Sequence, residues 1–431
     1  MKVRKDIPVY VIVVMLLIFS IVPNTLAATV NENALYAGDP VKHVISQYFD
    51  NYFKSYQTLE VVNSDNLVED NENTLLYKKM HELSVEANKL VRLSYTTFKV
   101  TLDYQNISYL NDTVNVNLLM SCDYVYSSTP DAKSSIGNIN YKFSLIHEND
   151  EYKIISIDSN FDEFDNFKKS VEEKVSSSKI SKIDAINKTA EEKSQEIRDT
   201  VKYISGNSLN SENNPADSTT SSNEVMPLGV NSTYSFNRML ARNWAQRFAE
   251  ADESDRFFYT AYTPSENDCT NFVSQCIWAG YGGYVEGNDT QTKNNINNRV
   301  RMVNNVWQAG TGGGVPNWES VTNLWSYATT NTGNGPRATG LNNDQPYYNL
   351  SPSSIYYGNA IQARTGSSGN YTHSVFVTYS LDSSTTEYNQ VLVSQHTGDM
   401  YNRNLWELIT SKGGNNCYLR KMSFKNANFS S

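Results

Sequence analysis

Residues 267–276 read NDCTNFVSQC, which puts two of the chain's four cysteines seven positions apart. Positions 269, 272, 273, 276, 277 and 280 follow the i, i+3, i+4, i+7 spacing of one helix face, and Gly280 is a natural stop. Seven residues of helix separate the two Cα atoms by ~10.5 Å. A disulfide needs less than ~7 Å, and two thiolates on one zinc at ~2.3 Å must also be close, so the pair is neither. The polar run Pro264-Ser265-Glu266-Asn267-Asp268 offers good N-caps, which places Cys269 in the first turn and Cys276 two turns deeper. There, open N–H groups and the helix dipole favour a thiolate at Cys269, while Cys276 reads as packing. A cysteine on an apolar face is ordinarily core, so a reactive Cys269 needs a base.

Only two histidines, His373 and His396, lie beyond residue 229. The segments THSVFVTY and QVLVSQHT flank the polar stretch SLDSSTTEYN, an antiparallel hairpin by pattern. A turn centred between Ser384 and Thr385 sets His373 opposite His396, on one face with Cβ atoms ~5 Å apart. A slip of one residue would part them. A thiol at a helix start, an imidazole on a strand and a second polar residue to orient it make up nucleophilic thiol catalysis. His396 can orient His373; Asp399, in HTGD, competes for that role.

These residues need a scaffold. Residues 40–58 and 75–93 carry apolar residues at helical spacing. FKVTLDY, VNVNLLMSCDYVY, NYKFSLIHE and YKIISID then alternate as strands. Two helices and four antiparallel strands make a small α+β domain that resembles nuclear-transport-factor-2-like domains in shape. His81 and His147 lack a partner at motif spacing and read as surface or half-buried residues. Residues 160–204 are charge-rich and suit a solvated helix, and the Ser/Asn-rich stretch from Ser205 to Pro227 reads as a flexible linker. An amphipathic helix follows Tyr234. Residues 281–345 are Asn/Gly-rich ordered loops with Trp307, Trp318 and Trp325, and SIYYGNAIQAR, THSVFVTYS, NQVLVSQHT and NCYLRKMSF end the chain as four strands.

The first residues, MKVRKDIPVYVIVVMLLIFSIVPNTLAATV, have the basic start, apolar run and small-residue site of a secretory leader cleaved near Ala27. No later stretch is apolar enough to span a bilayer, so the expected product is secreted or associated with the cell surface. The net charge is −10, with the acidic excess in the N-terminal half and neither half basic, which argues against nucleic acid as a partner. Four scattered cysteines are no disulfide framework. The divisions are therefore a leader at 1–27, an α+β domain at 28–160, a helical and Ser/Asn-rich linker at 161–232, and a second domain at 233–431.

DCTNFVSQ, followed by GNAI, THSVFVT and SQHTGD, resembles the amidase domain family of exported proteins of Gram-positive bacteria, itself similar to CHAP-type and NlpC-type papain-like hydrolases. The likeness covers residues 233–425 and leaves the N-terminal half uncovered. It implies a papain-like α+β fold, with a nucleophile helix packed on an antiparallel sheet. Cys269 is then the nucleophile, His373 the base and His396 the orienting residue, with the Cys269 N–H binding the oxyanion and Asp268, Asn271 and Gln275 as scaffold. Related sequences tend to have Gly-Asp where this one has Gly358-Asn359. The expected activity is cysteine amidohydrolysis of peptidoglycan or an exported peptide, without metal or organic cofactor. Transfer of the acyl group to an amine uses the same residues. A different class, a non-catalytic cell-wall or sugar binder using Trp307, Trp318 and Trp325, is compatible with the 29 tyrosines and the Asn-rich loops.

Overall fold

A computed structural model describes residues 38–149, 151–207, 232–250, 268–310 and 313–429. The leader, the Ser/Asn-rich stretch from residue 208 onward and residues 264–267 ahead of Cys269 lie outside the described residues.

The N-terminal half starts with α1 (Pro40–Thr58), whose Asp39 cap accepts from the N–H groups of Val41 and Lys42. A capping box between Asn71 and Thr74 opens α2 (Glu72–Leu90). The alternating segments form β1 (Tyr95–Leu110), β2 (Thr113–Tyr126), β3 (Ser134–Glu148) and β4 (Glu151–Ser159), consecutive antiparallel neighbours. The charge-rich region forms α3 (Asp162–Ser178) and α4 (Lys182–Asn207). These are not free solvated helices: Phe167, Val171, Ala185, Ile186 and Ile197 are buried in the core.

The C-terminal half contains β5 (Ser232–Tyr234), α5 (Arg238–Phe248), α6 (Cys269–Gly280), α7 (Asp289–Asn297), the two-residue pair β6 (Ala309–Gly310) and β7 (Gly313–Gly314), α8 (Pro316–Glu319), α9 (Val321–Thr330), β8 (Arg337–Leu341), β9 (Ala360–Thr365), β10 (His373–Tyr379), β11 (Leu392–Gln395), β12 (Met400–Asn404), α10 (Leu405–Ser411), β13 (Cys417–Lys425) and β14 (Ala427–Phe429). The class is α+β, as expected. One ten-stranded sheet runs through both halves in the order β1-β2-β3-β12-β11-β10-β9-β13-β8, with β4 on β3. The join is β12 on β3, where Met400 faces Ile136 and Tyr401 faces Ser135.

Each face of the C-terminal sheet has its own core. Val375, Val377, Val393 and Leu419 point toward the N-terminal half, with Phe49, Phe53, Tyr95 and Trp406 in the same cluster. Phe376, Ala360 and Met422 point the other way, onto Trp244 of α5, Phe272 and Val273 of α6 and Trp318 of α8. At the end of α6, Gly280 lets the ring of Phe236 lie where any Cβ would clash.

Two histidine readings change. His81 is buried rather than superficial: its Nε2 meets the Tyr52 carbonyl at 3.0 Å and its ring stacks on Tyr52, with burial lowering its pKa to about 4. The β10/β11 register also differs from the one centred on Ser384–Thr385. Phe376 faces Ser394 and Val377 faces Val393, one residue out, so His373 and His396 are not cross-strand partners on one face. The connection is not a symmetric turn, since it holds 3-10 turns at Asp382–Ser384 and Tyr388–Gln390 and a bulge beside Val377.

Candidate active site

Helix α6 starts at Cys269, with Asp268 as its N-cap. Every residue from Cys269 to Gly280 is buried, not one stripe alone, so its polar side chains need internal partners. Thr270 Oγ1 meets Ser374 Oγ at 2.9 Å, and Ser274 Oγ donates to the Trp318 carbonyl at 2.6 Å. Asn271 Nδ2 donates to Asp268 Oδ1 at 2.7 Å, while its Oδ1 accepts from Gln275 Nε2 at 3.1 Å and from Trp318 Nε1 at 2.6 Å. Asp268, Asn271 and Gln275 therefore form one network at the helix start. Asp268 does not cap the helix through its carboxylate, which serves Asn271 and His396 instead.

The turn His396–Asp399 between β11 and β12 closes this end. His396 Nδ1 lies 2.7 Å from Asp268 Oδ2, and its Nε2 lies 2.8 Å from the carbonyl of Phe248, the last residue of α5. Both partners accept, so both ring nitrogens donate and the ring is an imidazolium. Burial pulls its pKa down, but the charges of Asp399 and Asp268 and the two hydrogen bonds outweigh that and raise it. The ring stacks on Phe272 at 4.3 Å. Thr397 has φ 72°, an uncommon conformation for a β-branched residue, and its hydroxyl accepts from the Asp268 N–H at 3.0 Å. The carbonyl of Asp399 accepts from the Gly137 N–H at 2.9 Å, tying the turn to β3.

His373 opens β10. Its Nε2 lies 3.1 Å from Oε1 of Gln395, the residue before His396. Gln395 is fixed in orientation, because its Nε2 donates to the carbonyls of Thr397 and Gly398 at 3.2 and 3.3 Å and so its Oε1 must face His373. Nε2 of His373 then carries a hydrogen toward Gln395. Arg403 Nη1 reaches the same Oε1 at 3.4 Å. The residue that meets His373 Nε2 is Gln395, while the ring of His396, the expected orienting residue, meets Asp268 and the Phe248 carbonyl. The sequence carried Gln395 beside His396 in SQHTGD, and the shifted register hid it.

Cys269 is 3% exposed, and its sulfur lies 3.8 Å from Thr270 Oγ1, which also meets Ser374 Oγ. The thiol is thus tied through Thr270 to the start of β10, the strand that His373 opens. Burial pushes the thiol pKa up; the Ser374 N–H, Thr270 and Lys412 oppose this, while the Asp268 charge adds to it. Burial therefore works against the helix-start stabilisation of a thiolate expected from the sequence. Cys122, Cys276 and Cys417 are buried, and all four cysteines are free.

Residues 235–420 match the family model described as "Putative amidase domain". They form a domain of that family. The assignment points to amide-bond hydrolysis. No curated protein matches the chain.

Within the amidase domain, Asn359 is 1% exposed, accepts from the Tyr356 N–H and donates to Ser423 Oγ, so the Asp-to-Asn departure sits in the scaffold. Trp307 and Trp318 are wholly buried, leaving only Trp325 of the three tryptophans half-buried. A cavity of about 290 Å³ opens between the halves, walled in part by Tyr52, Tyr124, Arg403 and Glu407. Among the described residues no group of three or more His, Cys, Asp or Glu side chains could hold a metal ion, and no helix is long and apolar enough to cross a membrane.

Proposed function

We propose that the chain is an exported cysteine amidohydrolase with Cys269 as nucleophile, His373 as base and Gln395 as the residue that orients His373. The observation that supports this reading is the chain of contacts from the Cys269 sulfur through Thr270 Oγ1 to Ser374 Oγ, next in chain to an imidazole whose Nε2 meets Gln395 Oε1. Nδ1 of His373 takes the thiol proton as Sγ attacks the substrate carbonyl. The Cys269 N–H, at the open start of α6, binds the developing oxyanion. The imidazolium then protonates the leaving amine, leaving a thioester. Water attacks the thioester, His373 accepts its proton, and the carboxylic acid leaves with the thiol restored. A substrate in peptidoglycan or an exported peptide follows from the leader-like first 27 residues.

Cys269→Ala tests the reading on peptidoglycan fragments and peptide amides. Hydrolysis should vanish, and the thioester seen in mass spectra of quenched wild-type reactions should be absent from those of the variant. Unchanged turnover in the variant would end the proposal.

A further inference from the structure

The next strands away from the thiol carry a second feature on the same sheet face. In register, Ser374 of β10 faces Gln362 of β9, and Gln362 faces Arg420 of β13. Strand spacing of ~4.8 Å puts Arg420 about 10 Å across the sheet from Ser374. Side chains link the row: Gln362 Nε2 donates to Ser374 Oγ at 3.2 Å, and Gln362 Oε1 accepts from Arg420 Nε at 2.8 Å.

Arg420 is 5% exposed, with its guanidinium between the ring of Tyr371, 3.9 Å away, and that of Trp325, 4.4 Å away. Nη1 donates to Asn343 Oδ1 at 3.0 Å, but the buried Nη2 has no hydrogen-bond partner. Its neighbour Arg364 is fully served, by the carbonyls of Gly366, Ser367 and Gly369 and by Asp344 at 2.8 Å. A buried cation with an unfilled donor is costly unless a ligand supplies the missing acceptor. Solvent reaches this enclosure at Trp325, half-buried on α9, and at the exposed Asn343.

We propose that Arg420 is a recognition residue for a carboxylate carried by the amide substrate, a proposal that rests on Cys269 being the nucleophile. The carboxylate fills Nη2, and the guanidinium plane held by the two rings sets its direction. A substrate whose acyl part bears a free carboxyl group several bonds from the scissile carbonyl, such as an acidic peptide, suits the ~10 Å from Ser374 to Arg420.

The full chain is alkylated with N-iodoacetyl-glutamate and with N-iodoacetyl-glutamine, which differ in one carboxylate, and the site of labelling is read by mass spectrometry. The ratio of the two rates at Cys269 cancels changes in thiol reactivity. The wild type should favour the glutamate probe about tenfold, the worth of one charged hydrogen bond. Arg420→Gln should bring the ratio near one, Arg420→Lys should keep part of it, and Arg364→Gln should leave it standing. A ratio near one in the wild type, which needs no variant to fold, overturns the proposal, as does a ratio that survives in Arg420→Gln or collapses in Arg364→Gln. If neither probe nor iodoacetamide labels Cys269, the nucleophile reading fails and this proposal falls with it; labelling at equal rates sinks this proposal alone.

Discussion

In the proposed mechanism the orienting residue, Gln395, is a neutral amide rather than a carboxylate, and the difference has a measurable form. Its Nε2 is held by two carbonyls and its Oε1 is shared between His373 and Arg403, so it fixes which ring nitrogen of His373 carries the hydrogen without adding charge. Gln395→Leu keeps much of the volume and removes the acceptor at His373 Nε2. Turnover should fall about ten- to a hundredfold with KM nearly constant, since orientation matters to the chemical step more than to binding. A variant with wild-type kcat would remove Gln395 from the site. This residue was within reach of sequence reasoning. The register centred on Ser384–Thr385 and the resemblance pointed to His396 in SQHTGD, whereas the glutamine, one position away, faces the other side of the strand.

At the scale of elements, the turn His396–Asp399 binds three pieces together: the last carbonyl of α5, the N-cap residue of α6 and the sheet. A cation between a helix C-terminal carbonyl and a carboxylate is doubly favoured. His396 has a raised pKa in the folded chain, so the protonated ring binds more tightly there than in the unfolded chain. The stability it adds is full below the unfolded value of ~6.5 and is lost as pH rises through the raised folded value. The Tm gap between wild type and His396→Gln should thus be widest near pH 6 and shrink toward pH 9. Removing the imidazolium also leaves the Asp268 charge uncompensated beside the thiol, so the midpoint for iodoacetamide alkylation of Cys269 should move to higher pH. A gap that widens with pH contradicts the assignment. Strong alternation made the four N-terminal strands readable, and their observed spans contain the segments read from sequence. By contrast, MYNRN and RATGL carry too few apolar residues to announce β12 and β8, which owe their place to neighbours on both cores. Register was illegible for a related reason. Periodicity fixes which residues share a face within a strand, but the bulge beside Val377 and two 3-10 turns decide how strands meet.

For the molecule as a whole, the sheet and one of its cores cross from one half to the other, so the two halves should melt as one. Trp406 of α10 is the best probe of that union. It is 1% exposed in the cluster that holds Phe49, Phe53 and Tyr95, and its Nε1 donates to the Ala87 carbonyl at 3.1 Å. Glu407 beside it accepts from Asn88 Nδ2 at 2.9 Å and from the Tyr126 hydroxyl at 2.6 Å, while Ser128 Oγ donates to the Asn389 carbonyl at 2.6 Å. Trp406→Ala should cost about 3–5 kcal/mol, the usual penalty for emptying a large aromatic site. The two halves have separate reporters. All six tryptophans lie in the C-terminal half, so their fluorescence follows that half, while the far-ultraviolet signal is weighted by the long helices α1 to α4. If the shared core unites the halves, both signals should move to lower denaturant together in Trp406→Ala and stay superimposed, as a single transition requires. Were the fluorescence transition alone to shift, the contacts across β3 and β12 would be a docking of two independent domains, and removal of the N-terminal half would leave the amidase domain folded.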